Sequence, residues 1–160
     1  MRSALLAMFT LAAIASEGVP FLKPSLLNLK EEVQEAKKEG KMLIVMFHRD
    51  GCPACERIRE NMKEKQVVEY FKPRFNMIQV DIFSSAELTS PDGKKLTEKS
   101  FSQSLGVRAT PTLIFYDQNG SVALTLAGPL DSKTLLTAGK FVAEGHYRSK
   151  SFAQFLKESN

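Results

Sequence analysis

Cys52 and Cys55 are the chain's two cysteines, and only Pro53 and Ala54 separate them. At the start of a helix this spacing has a direct chemical use. Helix N–H groups and the positive end of the helix dipole stabilise a thiolate at the first cysteine. That thiolate attacks a disulfide sulfur and forms a mixed disulfide, which the second cysteine, one turn further on, resolves. Spacing alone leaves other uses open. His48 and His146 could complete a Cys₂His₂ zinc set, although their spacing matches no common finger. An exported cysteine pair with a histidine could hold Cu(I). Covalent haem attachment is excluded, because Glu56 rather than histidine follows Cys55. A purely structural bridge is a poor use of so short a loop, which hardly constrains the unfolded chain.

The flanking residues supply the elements that must hold such a pair. Met42–Phe47 is a continuous apolar run of strand length, as expected of a strand buried on both faces. The polar turn His48-Arg49-Asp50-Gly51 leads from it to Cys52. Pro53 suits the first turn of a helix, where its missing N–H costs nothing, and the helix continues over Glu56–Lys65. Upstream, Leu26, Leu29, Val33 and Ala36 recur at helical spacing, with Ser25 near the start and Gly40 as the stop. Downstream, Met77–Ile82 reads as a second strand and Ser84–Lys95 as a polar surface insertion. A short helix follows near Glu98–Leu105. Thr112–Tyr116 is a third strand, turned at Asp117–Gly120 into a hairpin partner carrying Val122, Leu124 and Leu126. Asp131 caps a last long helix with Leu135, Ala138 and Val142 inward. Phe152, Phe155 and Leu156 predict a short extra helix that packs back. This order is an α/β layout around one mixed sheet flanked by helices.

A second chemical signal is Thr110-Pro111 at the start of the third strand. Proline is tolerated there, and X–Pro bonds are where cis peptides occur. A cis bond at this edge would free backbone groups for an extended substrate to pair with.

Composition excludes several classes. With 25% charged and 43% hydrophobic residues in 160, the chain is neither disordered nor collagen-like. Its net charge of +4, with no Lys/Arg run longer than two, gives no nucleic-acid footprint. At the N-terminus, Arg2 precedes the apolar stretch Ser3–Ala15, which ends in Ala13-Ile14-Ala15, the small-x-small pattern of a signal-peptide cleavage site. The expectation is a signal peptide over 1–15 and one domain over 16–160. A retained anchor is the alternative, for which the run is short of the roughly 20 residues a span needs.

Taken together, the strand, Cys52-Pro53-Ala54-Cys55 and the later Thr110-Pro111 resemble the thioredoxin superfamily. Gly128 after the last strand matches its pattern as well. The resemblance implies a thioredoxin fold and an enzyme, a thiol–disulfide oxidoreductase. It also implies a cis Pro111 beside the cysteines and no cofactor beyond the redox-active Cys52–Cys55 disulfide. A closer likeness is to exported thioredoxin-like proteins of the SoxW type, found with sulfur-oxidation systems. It is carried by Phe47–Cys55, Glu98-Lys99, Leu105-Gly106-Val107, Thr110–Phe115, the insertion at Ser84–Lys95, and the tail from Phe141-Val142 to Phe155-Leu156. This implies a periplasmic protein that reduces disulfide-containing substrates and draws electrons from a membrane thiol reductase; a monomer is the default expectation. Cys52 would attack, Cys55 resolve, and Thr110 and Pro111 position the substrate. Pro53, Ala54 and His48 would tune the pair. An oxidase, an isomerase, a reductant for cytochrome c maturation or a non-catalytic binding module are the alternatives within the fold.

The chain departs from the family in places. Gly51 stands where thioredoxins carry tryptophan. Met46 replaces the buried aspartate that accepts a proton from the second cysteine, and Met77 replaces the lysine near it.

Overall fold

The computed structural model describes residues 18–160, so the expected signal peptide lies outside the described residues. The described residues form six strands and six helices, in the order α1 (Leu29–Lys38), β1 (Met42–His48), α2 (Pro53–Met62), α3 (Lys65–Phe71), β2 (Phe75–Asp81), β3 (Glu87–Thr89), β4 (Lys95–Thr97), α4 (Glu98–Ser104), β5 (Thr112–Tyr116), β6 (Val122–Ala127), α5 (Ser132–Ala143) and α6 (Phe152–Glu158). A short 3₁₀ turn at His146–Arg148 links the last two helices.

The main sheet has the order β2-β1-β5-β6. β1 runs parallel to β2 and antiparallel to β5, so the sheet is mixed. Its five central residues are buried, which is why the run Leu43–Phe47 is apolar at every position rather than alternating. Successive side chains feed two cores. Ile44, Met46, Met77, Leu113 and Phe115 pack with α2, α3 and α5. Leu43, Val45, Phe47, Ile78 and Ile114 pack with α1, α4 and β3. Phe47, Phe71, Phe75 and Phe115 are fully enclosed, and each such side chain stabilises by roughly 1.5–3 kcal/mol.

The structure departs from the sequence-based expectations in four places. The first helix begins at Leu29, not Leu26. Leu27 is left-handed (φ 61°) and Leu26 is 97% exposed, so the helix starts only at its cap Asn28, whose side chain accepts from Glu31 N. The helix after the cysteines stops at Met62, and a separate α3 follows, burying Val67 and Phe71. The second strand is Phe75–Asp81, ending one residue before Ile82. The insertion Ser84–Lys95 is not a plain loop. It contains β3, which pairs antiparallel with β4 across the turn Ser90–Gly93. Three-residue strands lie too close to turn residues for their alternation to register. Among the described residues no helix is long and apolar enough to cross a membrane.

Candidate redox site

The site lies where β1 ends and α2 begins. Gly51 takes a left-handed conformation (φ 63°) that residues with a side chain rarely adopt, which accounts for glycine at this position. Arg49 holds the turn from the other side, its guanidinium donating to the carbonyls of Asp50 and Gly51 at 3.2 Å each. Cys52 is then the N-cap of α2, and Pro53 sits in the first turn. Cys55 N–H donates to Cys52 Sγ at 3.2 Å. This is the geometry in which a helix start stabilises a sulfur anion.

Cys52 and Cys55 form a disulfide with Cα atoms 5.2 Å apart. The two sulfurs are placed differently. Cys55 is fully buried in the core that contains Met46, Ile58 and Met77, whereas Cys52 keeps 6% exposure. The two methionines are themselves fully buried. Neither can take a proton, so the apolar surroundings of Cys55 include no acid or base at those two positions.

Thr110 and Pro111 come from across the sheet. The Thr110–Pro111 peptide bond is cis. Thr110 Oγ1 lies 3.3 Å from Cys52 Sγ, and the Thr110 carbonyl oxygen lies 3.7 Å away. The hydroxyl can therefore donate to that sulfur, bonded or anionic. Gly128 N–H donates to Pro111 O at 2.8 Å, which ties the loop after β6 to the start of β5. Beside α2, a groove of about 440 Å³ runs between Arg57 and Asn61 on one side and Pro129 and Leu130 on the other. Asn61 fixes it by donating to Leu130 O at 2.8 Å.

His48 is half-buried at the end of β1, opposite Asp81. Burial and the neighbouring Arg59 cation hold its pKa below the ordinary histidine range, against the pull of Asp81, Glu98 and Asp50. The groups that bear on it are thus on β2, α2, α4 and the turn after β1, and among the described residues no hydrogen bond joins it to either cysteine. Glu56 is paired with Arg59, which also donates to Gln79, so the acidic residue next to Cys55 is neutralised within its own helix. Arg57 is exposed. His146 lies elsewhere, stacked on Phe155 at 4.5 Å between ring centroids.

Sequence reasoning brought Cys52, Cys55, Thr110 and Pro111 to one place, and the structure has them there. It missed the roles of Arg49 and Asn61. Both act through backbone carbonyls, which leave no mark in a sequence. It also missed Glu98, a buried carboxylate that accepts from Asp81 N at 3.3 Å.

A family model described as a thioredoxin-like domain matches residues 29–143. The chain belongs to the thioredoxin-like family. With its C-x-x-C disulfide, it has the make-up of a thiol–disulfide oxidoreductase. A thioredoxin-fold protein from Helicobacter pylori superposes with a TM-score of 0.64 at 23% identity, covering 80% of this chain and 92% of that one. A candidate disulphide-isomerase from Bacteroides thetaiotaomicron gives 0.59 at 27% identity, covering 78% and 92%. A thioredoxin from Thermus thermophilus gives 0.55 at 21% identity, covering 72% and 83%. No curated protein sequence matches the chain at a significant level.

Proposed function

We propose that the protein is an exported reductase of protein or small-molecule disulfides, kept reduced by a membrane thiol reductase and linked to sulfur oxidation. The observation that carries the catalytic part is the asymmetry of the pair. Cys52 Sγ sits at a helix start against Thr110, while Cys55 is sealed in the core. The Cys52 thiolate attacks one sulfur of the substrate disulfide, and the other leaves as a thiolate. Cys55 then loses its proton and attacks Cys52 Sγ. The second substrate sulfur departs, leaving the Cys52–Cys55 disulfide and a substrate reduced by two electrons. Thr110 donates its hydroxyl to the Cys52 sulfur, and Pro111 presents the substrate edge. The groove between Arg57 and Leu130 receives the polypeptide beside the attacked bond. Pro53 and Ala54 set how well the N-terminal turn of α2 stabilises the anion.

Export rests on Arg2, Ser3–Ala15 and Ala13-Ile14-Ala15, and it places the pair where thiols oxidise unless a donor reduces them. The link to sulfur oxidation rests on the SoxW-type likeness of the insertion and tail.

Equilibration of the Cys52/Cys55 pair against defined thiol–disulfide mixtures tests the direction. A reductase requires a potential toward about −270 mV. The likeness to the Bacteroides protein favours an isomerase as the second reading; a potential toward about −180 mV would support it, one toward about −120 mV would indicate an oxidase, and either would overturn the first.

A further inference from the structure

Cys55 must lose a proton before it can attack Cys52. Met46 of β1, Met77 of β2, Leu113 of β5, Ile58 of α2 and Leu135 of α5 belong to its core, and all are fully buried. Among the described residues, the buried polar side chains are Asn76, Ser90, Glu98, Ser102, Thr112 and Thr137. Asn76 and Thr112 alternate to the other face of the sheet. Ser90, Glu98 and Ser102 belong to the hairpin turn and α4, which cover that other face. Thr137 of α5 remains, and its hydroxyl already donates to Lys133 O at 2.9 Å. Two phenols, Tyr70 and Tyr147, pack against the core. Tyr70 donates to Glu144, and burial pushes its pKa up to about 12. A neutral phenol does not remove a proton from a thiol. The charged groups of the surrounding helices are engaged or cationic. Glu56 pairs with Arg59, Glu60 with Lys63 and Glu69 with Lys65, while Asp131 accepts from Thr134 N. Arg57, Lys133 and Lys140 are exposed cations, which accept no proton. By alternation His48 and Asp81 stand on this face at the cysteine end of the sheet. Asp81 accepts from Phe83 N, and His48 has no hydrogen bond to either cysteine among the described residues.

We propose that release of the substrate from Cys52 is gated by pH, because the Cys55 proton leaves only to solvent hydroxide. This rests on the oxidoreductase reading, with Cys52 as the attacking thiol. Hydroxide takes the proton and becomes water. The Cys55 thiolate attacks Cys52 Sγ, the bond between Cys52 and the substrate sulfur breaks, and its electron pair leaves with that sulfur as a thiolate. Apolar burial disfavours a thiolate at Cys55, whereas the helix start and Thr110 favour one at Cys52. Attack is therefore quick and release slow at neutral pH, and the covalent complex accumulates. Each unit of rising pH increases the Cys55 thiolate about tenfold until the thiol itself titrates, above the ordinary cysteine value of about 8.5. Opening the disulfide leaves the walls in place, since the bridge spans only the first turn of α2 and ties it to no other element.

Rapid mixing of the reduced full chain with equimolar dithiobis(nitrobenzoic acid) separates the two steps. Each half of this probe is coloured on release, the first on attack by Cys52 and the second on attack by Cys55. Two phases are expected, with the mixed disulfide seen as a mass increase after acid quenching between them. The second phase should quicken about tenfold per pH unit from pH 6 to pH 9 without levelling. Met46→Asp places an acceptor in the core, so its second phase should level off near neutral pH and run about tenfold or more faster at pH 7. Met46→Leu should keep the wild-type slope. Levelling of the wild-type second phase below about pH 8 overturns the proposal, and its disappearance in His48→Ala would give the proton to the imidazole. A folded Met46→Asp with the wild-type slope overturns it as well; should that variant not fold, the wild-type profile decides alone. Absence of the first phase would instead remove the oxidoreductase reading, and the proposal with it.

Discussion

The two faces of the sheet are made from alternate residues of the same strands, yet they close differently. On the face that carries the disulfide, α2, α3 and α5 press down on an unbroken apolar layer. Phe71 touches Phe21 and Phe75 there, with ring centroids 5.3 and 5.1 Å apart. α6 adds a second layer, with Phe152 and Phe155 each 5.4 Å from Phe141. On the other face, the cover is α1, a seven-residue α4 and a hairpin of three-residue strands, and a cleft is left between them. The lesson is that alternation decides what a strand offers to each face. The kind of element laid over each face decides how it closes: helices packed on Phe71, Phe75 and Phe141 enclose one core, whereas a hairpin of three-residue strands beside α4 covers the other only in part. A buried thiol such as Cys55 requires the sealed one.

The strongest way to break this picture is at the disulfide. Cys52→Ser should abolish reduction of a small aromatic disulfide followed by thiol release. Cys55→Ser should instead accumulate a covalent mixed disulfide, seen as a mass increase. The reverse pattern would exchange the two roles. Core truncation sharpens the contrast between faces. Phe71→Ala should cost about 4 kcal/mol in urea unfolding, within the usual range of roughly 3–5. Phe101→Ala should cost less, because it enlarges an opening that already exists. Equal costs would remove the distinction.

Gly139→Ala tests how close α3 lies to α5. Alanine is the better helix former by about 1 kcal/mol. A Cβ at that site would nevertheless stand 2.6 Å from Phe71 Cε2, on a ring with no room to retreat. Net destabilisation of about 1–3 kcal/mol is expected from overpacking. A gain in stability would mean the face is looser than described.

Asp131 caps α5 by accepting from Thr134 N at 2.7 Å, and that bond, chiefly, holds its pKa below the ordinary value. A depressed carboxyl stabilises the fold above its unfolded pKa and loses that contribution as pH falls through the folded value. Asp131→Ala should therefore cost about 1 kcal/mol at neutral pH. The difference should narrow below about pH 4, as urea midpoints measured across that range would reveal; a constant difference would contradict the cap. The smallest effect concerns His48. Without a hydrogen bond to either cysteine, and with burial and Arg59 lowering its pKa, it should leave the Cys52 thiol titration unchanged in His48→Ala, followed by thiolate absorbance.

Much of this protein was determined by local sequence. A continuous apolar run such as Leu43–Phe47 has one good home, a strand buried on both sides, and Pro53 and Asp131 mark helix starts by chemistry that acts within one turn. The cysteine pair is legible for the same reason, since three residues of helix suffice to bring its sulfurs together. Gly51 is legible in part, because glycine signals a turn, although only the backbone shows that the turn is left-handed. Elements that owe their existence to distant partners could not be read this way. α3 persists because Val67 and Phe71 are buried among residues of β2 and α5, and the β3–β4 hairpin because each short strand has the other. Tertiary structure alone set Thr110 against Cys52, 58 residues apart. It also placed Met46 and Met77 in the core of Cys55 and left the Tyr116 hydroxyl without a partner. The physical reason is common to all three: a side chain's chemistry depends on which atoms lie within a few ångströms, and that distance is unrelated to separation along the chain.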